Sequence, residues 1–97
     1  KNWPFNNKKF GIIIVTNYLY RSIFYNIINS LNIKGLLLYE TFSIGNEKYG
    51  KPRNLDYLLK DRELLKVFND LDLIAFENVD IKNQKYYCMQ RIAAIKN

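Results

Sequence analysis

The sequence predicts an α/β fold in which a parallel βαβ unit is followed by an antiparallel hairpin, and three stretches carry the parallel unit. Phe10 to Val15 is a continuous apolar run rich in β-branched residues, Ile12, Ile13, Ile14 and Val15. Such a run marks a strand buried on both faces, as in a parallel sheet, rather than an alternating surface strand. Ile23, Phe24, Ile27, Ile28 and Leu31 then fall on one face of a helix spanning Arg21 to Asn32. Leu36 to Phe42 returns to strand character and runs into a polar loop holding Gly45, Gly50 and Pro52. Strand, helix, strand in this order forms a βαβ unit with a right-handed crossover.

The remaining elements follow from local signals. Lys1 to Lys9 is polar around Trp3-Pro4-Phe5 and reads as a loop. Thr16-Asn17 closes the first strand, and Lys34-Gly35 is expected to end the first helix, since glycine suits a helix C-terminus. Asp61 is expected to cap a second helix that carries Leu64, Leu65 and Phe68 on one face, with Glu63 in its first turn. Leu73 to Phe76 reads as the third strand, the region of Asp80 and Asn83 as a turn, and Tyr86 to Ile95 as the fourth strand. The short connection between the last two implies an antiparallel hairpin. The first strand wants a neighbour on both edges, and this chain supplies only one. A long apolar edge is a liability that domains avoid, so another strand, from upstream sequence or from a second chain, is expected to cover Phe10–Val15.

Composition narrows the function classes. Ninety-seven residues with 48% apolar content make one ordinary globular domain, and disorder is not expected. The longest apolar run is strand length, far below the roughly 18–20 residues that cross a bilayer, and Lys1-Asn2-Trp3-Pro4 is not followed by the apolar core of a leader peptide. Cys88 is the single cysteine, so no intrachain disulfide forms, and it is expected to be a buried small apolar residue in a strand. The sequence has no histidine, which excludes His-dependent triads and, with one cysteine, argues against a zinc site; no metal is expected. These features together suit a cytoplasmic location. The net charge of +6 is spread along the chain as a solvated surface, except where Lys48, Lys51 and Arg53 gather in the loop after the second parallel strand.

That loop carries the most specific pattern in the chain. Glu40-Thr41-Phe42, Gly45-Asn46-Glu47 and Gly50-Lys51-Pro52, followed by Leu58-Leu59 and the helical Glu63-Leu64-Leu65, stand together with Val15-Thr16-Asn17-Tyr18-Leu19-Tyr20-Arg21. These stretches resemble the C-terminal half of a family of small bacterial class I S-adenosylmethionine (SAM)-dependent methyltransferases. The resemblance runs from Trp3-Pro4 to Gln90-Arg91-Ile92-Ala93-Ala94. It implies that residues 1–97 are a partial methyltransferase domain, with the four strands as strands four to seven of a Rossmann-like sheet. The glycine-rich loop after strand one and the acidic residue after strand two, which hold SAM in that family, are not in this chain. Similar proteins often carry histidine where this chain has Tyr20, so no catalytic base is assigned.

The resemblance implies SAM as cofactor, with Thr16, Asn17 and Tyr18 on the cofactor side of the site. Tyr20, Arg21, Glu40, Asn46, Glu47 and Tyr49 fall on the side of the methyl acceptor. The same residues admit plainer roles: Asn17 either touches ligand or caps the helix that follows, and Arg21 either pairs with an anionic acceptor or makes a surface salt bridge. Glu40 either pairs with Arg21 or orients the acceptor. Asn46, Glu47, Tyr49 and Lys51 form either a lid over the site or simply the turns of a loop. A small-molecule acceptor is favoured over nucleic acid, because only Tyr86-Tyr87 hints at a base-stacking platform. The competing expectations are a non-catalytic basic interaction module and an inactive fragment.

Overall fold

The computed structural model describes residues 3–5, 7–82 and 86–97. Strand β1 (Phe10–Thr16) is followed by a 3₁₀ turn (Arg21–Ile23), helix α1 (Phe24–Ser30) and strand β2 (Leu31–Phe42). Short 3₁₀ turns at Asn46–Lys48 and Leu55–Tyr57 lead to helix α2 (Glu63–Val67), strand β3 (Asp72–Lys82) and strand β4 (Tyr86–Ile95). The sheet order is β1-β2-β4-β3, with β1 parallel to β2 and the β3/β4 hairpin antiparallel. Both the parallel pair and the hairpin are as the sequence predicts.

The core lies on one face of the sheet. Leu37 and Tyr39 of β2 and Ile92 and Ala94 of β4 pack there against Ile23, Phe24 and Ile27 of the first helical segment and Leu64 and Phe68 of the second. Phe24, Tyr39 and Phe68 form an aromatic cluster with ring centroids 5.5 to 6.0 Å apart, spacings at which tilted and edge-on rings attract. The opposite face carries the alternate residues. Ile12 is 59% and Ile14 64% exposed, with Leu38 exposed beside them, so β1 is not buried on both faces as its apolar run implies; Leu73 and Ile74 of β3 are exposed as well. The molecule is accordingly less compact than its length allows. Its surface of 6442 Å² compares with roughly 5,800 Å² for a typical folded chain of this mass, and its radius of gyration of 13.8 Å with about 12.5 Å.

Three local expectations are corrected. The first helix ends at Ser30, and Leu31 is already extended. Its side chain is 1% exposed, so core burial pulls the chain into β2 early. Between Phe10↔Leu31 and Ile12↔Leu36 the register slips, which makes residues 32–35 a bulge, with Lys34 at φ 69°. Gly35 therefore serves close approach inside this bulge rather than a helix end: a Cβ there would meet the Asn32 carbonyl oxygen at 2.7 Å.

The second correction concerns α2. Arg62, not Asp61, precedes the helix, at φ 53° and with no side-chain cap, while Asp61 pairs with Arg62. Capping comes instead from Gln90 across the sheet, 1% exposed, whose Oε1 accepts from the Leu64 N–H at 3.3 Å and whose Nε2 donates to the Lys60 carbonyl at 2.6 Å. Third, β3 continues to Lys82, with Asp80 paired to Cys88 instead of lying in a turn. The edge position of β3 leaves Glu77, Asn78 and Asp80 in solvent, so polar side chains do not break it. Asn83 lies outside the described residues. Cys88 is buried in β4 as expected.

Candidate functional site

β1 and β2 are parallel and end side by side, and the chain leaving β1 is fixed there by backbone contacts. The Asn17 N–H donates to the Glu40 carbonyl at 2.9 Å, which extends the ladder by one rung. Asn17 itself turns the chain at φ 54°, a left-handed conformation that asparagine tolerates better than most residues. One residue on, the Tyr18 carbonyl accepts from the buried Tyr39 hydroxyl at 2.7 Å. Burial, with smaller contributions from neighbouring Tyr18 and Glu63, drives the Tyr39 hydroxyl well above the usual phenol range, so it remains a donor. Asn17 caps no helix: the 3₁₀ turn that follows starts after Tyr20 and has no side-chain cap.

Two clefts meet at this turn. The larger, about 510 Å³, is lined by Thr16 and Asn17, by Glu40 and Phe42 of β2, and by Tyr87, Met89 and Arg91 of β4. The smaller, about 300 Å³, is lined by Asn17, Tyr18, Leu19, Thr41 and Phe42 together with Pro52 and Tyr57 of the following loop. Asn17 and Phe42 belong to both. In the larger cleft Glu40 accepts from Arg91 Nε at 3.0 Å. The hydrogen bond to Glu40, against a smaller opposing effect of burial, holds the Arg91 guanidinium above its ordinary range. Glu40 thus pairs with Arg91, directly opposite it in the β2/β4 register, and not with Arg21.

Arg21 is committed elsewhere. Its Nε and Nη2 donate to the two carboxylate oxygens of Glu63 at 2.6 and 2.8 Å, and its Nη1 and Nη2 also reach the Asp56 and Leu58 carbonyls. Burial alone would raise the Glu63 carboxyl, but the hydrogen bonds from Arg21 and the Lys60 N–H and the Arg21 charge outweigh it and hold Glu63 below the usual carboxylate range. The guanidinium therefore clamps the Asp56–Leu58 segment to the start of α2.

The remaining sequence-predicted residues sit in the loop after β2. Asn46 is buried, and its side chain accepts from the Cys88 N–H at 3.1 Å and donates to the Pro52 carbonyl at 3.3 Å. Glu47 accepts from the Gly45 N–H, and the Tyr49 hydroxyl donates to Asp80. Gly45, at φ 112°, packs over Cys88, whose thiol is raised by burial and then by Asp80. Thr16, Asn17 and Glu40 thus come together in one cleft and Tyr18 in its neighbour. Tyr20, Arg21, Asn46, Glu47 and Tyr49 lie among neither set of lining residues. Phe42, Pro52, Tyr57, Met89 and Arg91 line the clefts without having been singled out. Arg91 was within reach of inspection, because it alternates with inward-facing Gln90 and Ile92, but its partner depends on a cross-strand register that sequence does not display.

This architecture occurs in known proteins. The chain superposes on TehB from Haemophilus influenzae with a TM-score of 0.74 and 15% identity, over 94% of this chain and 37% of that one. It superposes on the N-methyltransferase NodS from Bradyrhizobium japonicum with a TM-score of 0.66 and 12% identity, over 92% of this chain and 52% of that one. The fold is the class I methyltransferase fold. The chain spans about a third to a half of the length of these two neighbours. No protein-family model matches the chain, and no curated protein matches it in sequence. No helix among the described residues is long and apolar enough to cross a membrane.

Proposed function

We propose that this chain forms the acceptor-side half of a SAM-dependent methyltransferase acting on a small molecule in the cytoplasm. The observation that carries the reading is the meeting of two clefts at Asn17, at the carboxyl ends of adjacent parallel strands, the location where open α/β sheets bind ligands. The fold shared with an N-methyltransferase supports it.

The residues present fit one side of a SAM site. Asn17 is exposed, its carboxamide can both donate and accept, and it has no side-chain hydrogen bond among the described residues. Thr16 and Asn17 would hold the cofactor from the larger cleft, with Tyr18 closing over it from the smaller. When bound, SAM supplies a methyl group on a positively charged sulfur, which an acceptor lone pair can displace without a metal or a histidine. What remains for this chain is positioning and the exclusion of water. Glu40, held by Arg91 in the larger cleft, would meet the acceptor only where the two clefts join at Asn17. Arg21 fixes the Asp56–Leu58 segment that walls the smaller cleft, and Asn46, Glu47 and Tyr49 fix the loop before it.

The exposed edge of β1 supports a second element of the proposal, that a further strand, from upstream sequence or another chain, completes the sheet. A stable, soluble monomer of this chain in sedimentation would count against it. The reading frame upstream is expected to encode a strand ending in a DxGxG-type loop, and isothermal titration of SAM into the product is expected to give saturable binding, weakened about tenfold by Asn17→Ala. A stop codon in that frame, or a product that does not bind SAM, would overturn the methyltransferase reading. The exposed Ile12 and Ile14 would then favour a non-catalytic interaction module or an inactive fragment.

A further inference from the structure

The smaller cleft has a composition that selects among acceptors. Its polar lining residues are Asn17, Tyr18, Thr41 and Tyr57, and the rest of the lining is Leu19, Phe42 and Pro52. No lysine, arginine, aspartate or glutamate lines it. The cation nearest in sequence, Arg21, spends its donors on Glu63 and on the Asp56 and Leu58 carbonyls, so turning to an anion would break a bidentate carboxylate pair. The basic residues of the following loop, Lys51 and Arg53, are exposed and do not line the cleft. Transferring a charged ligand into such surroundings would cost its hydration without a compensating partner.

Three aromatic rings and a proline instead offer flat apolar surface, and a volume of about 300 Å³ suits a molecule of one or two fused rings. Tyr57 is 57% and Tyr18 38% exposed, so part of this aromatic surface is open to solvent before any ligand arrives. Asn17, shared with the larger cleft, stands where a ring heteroatom would have to present itself to a methyl donor.

From this we infer that the smaller cleft binds an uncharged, planar ring compound, which is the methyl acceptor, and that Tyr57 and Phe42 set the selectivity for it. The acceptor role rests on the methyltransferase reading; the binding preference does not. The test uses the full product of the reading frame that contains these 97 residues, labelled with ¹⁵N and titrated with indole, a neutral planar probe, and with benzoate, a planar anion of similar size. Indole is expected to shift the amides of Asn17, Tyr18, Thr41, Phe42 and Tyr57 saturably, with benzoate at least tenfold weaker. Tyr57→Ala is expected to weaken indole several-fold while Tyr57→Phe keeps it. The dispersion of the same spectra reports whether each variant is folded; Arg53→Gln, at an exposed residue outside the lining, should not change the order of the two probes.

Equal or tighter binding of benzoate, indole shifts confined to the open sheet face around Ile14 and Leu38, or indifference to Tyr57→Ala would each overturn the inference. Indole binding here together with failure of the longer product to bind SAM would keep the binding preference and end the acceptor role. SAM binding without indole binding would end the preference alone.

Discussion

At the residue scale, Arg21 shows how a side chain's position in sequence can mislead about its use. One turn past a strand end it reads either as a ligand contact or as a salt bridge, and its partners are Glu63, 42 residues away, and the Asp56 and Leu58 carbonyls. Because Glu63 titrates below the usual carboxylate range, its pairing stabilises the fold above the unfolded carboxylate pKa of about 4.3, and that contribution is lost as pH falls through the lower folded value. Glu63→Gln is expected to lower stability at pH 7 by about 1–2 kcal/mol, a charged hydrogen bond discounted for the partly exposed guanidinium. It should also flatten the acid dependence; urea midpoints at pH 7 and pH 3 check both, and a variant as acid-sensitive as the parent would remove Glu63 from this role. The ends of β1 and β2, where Thr16, Asn17 and Glu40 meet, were legible because strand ends can be found from apolar runs. The roles of Arg21 and Asn46 were not, since both are decided by long-range partners.

At the element scale, periodicity located all four strands and both helices, and it erred where tertiary contacts move a boundary. The sequence signal for α2 was a capping Asp61, but the helix is only Glu63–Val67 and is anchored by Gln90 from β4. A five-residue helix has little intrinsic stability, so its existence depends on that anchor and on Phe68 in the aromatic cluster. Gln90→Leu would leave the Lys60 carbonyl and the Leu64 N–H without their partner, a cost of about 1–3 kcal/mol. Phe68→Ala should cost about 3–5 kcal/mol. Amide exchange in residues 63–67 should accelerate in the Gln90 variant more than in β2; uniform acceleration across the sheet would show that the helix has no separate dependence on this side chain. The second half of β3 escaped the sequence because Glu77, Asn78 and Asp80 have poor strand propensity, which an edge strand with solvent on one side does not penalise.

At the scale of the whole molecule, the order β1-β2-β4-β3 was half legible. The parallel pair and the hairpin follow from connection lengths, whereas the insertion of β4 between β2 and β3 follows from neither. The core on a single face has a thermodynamic signature. Heat capacity and denaturant sensitivity both scale with the apolar surface that unfolding uncovers, and here Ile12, Ile14, Leu38, Leu73 and Ile74 are already in water. Calorimetry on the chain should therefore give a heat-capacity increment below the usual ~12–15 cal/mol/K per residue, and a shallow urea slope. Full-sized values would mean that the open face is covered in solution. A shallow slope also means that such a chain melts over a broad range of temperature, so that any segment covering the second face would sharpen the transition as well as raise it, and the breadth of the melt becomes a gauge of whether the sheet has been completed.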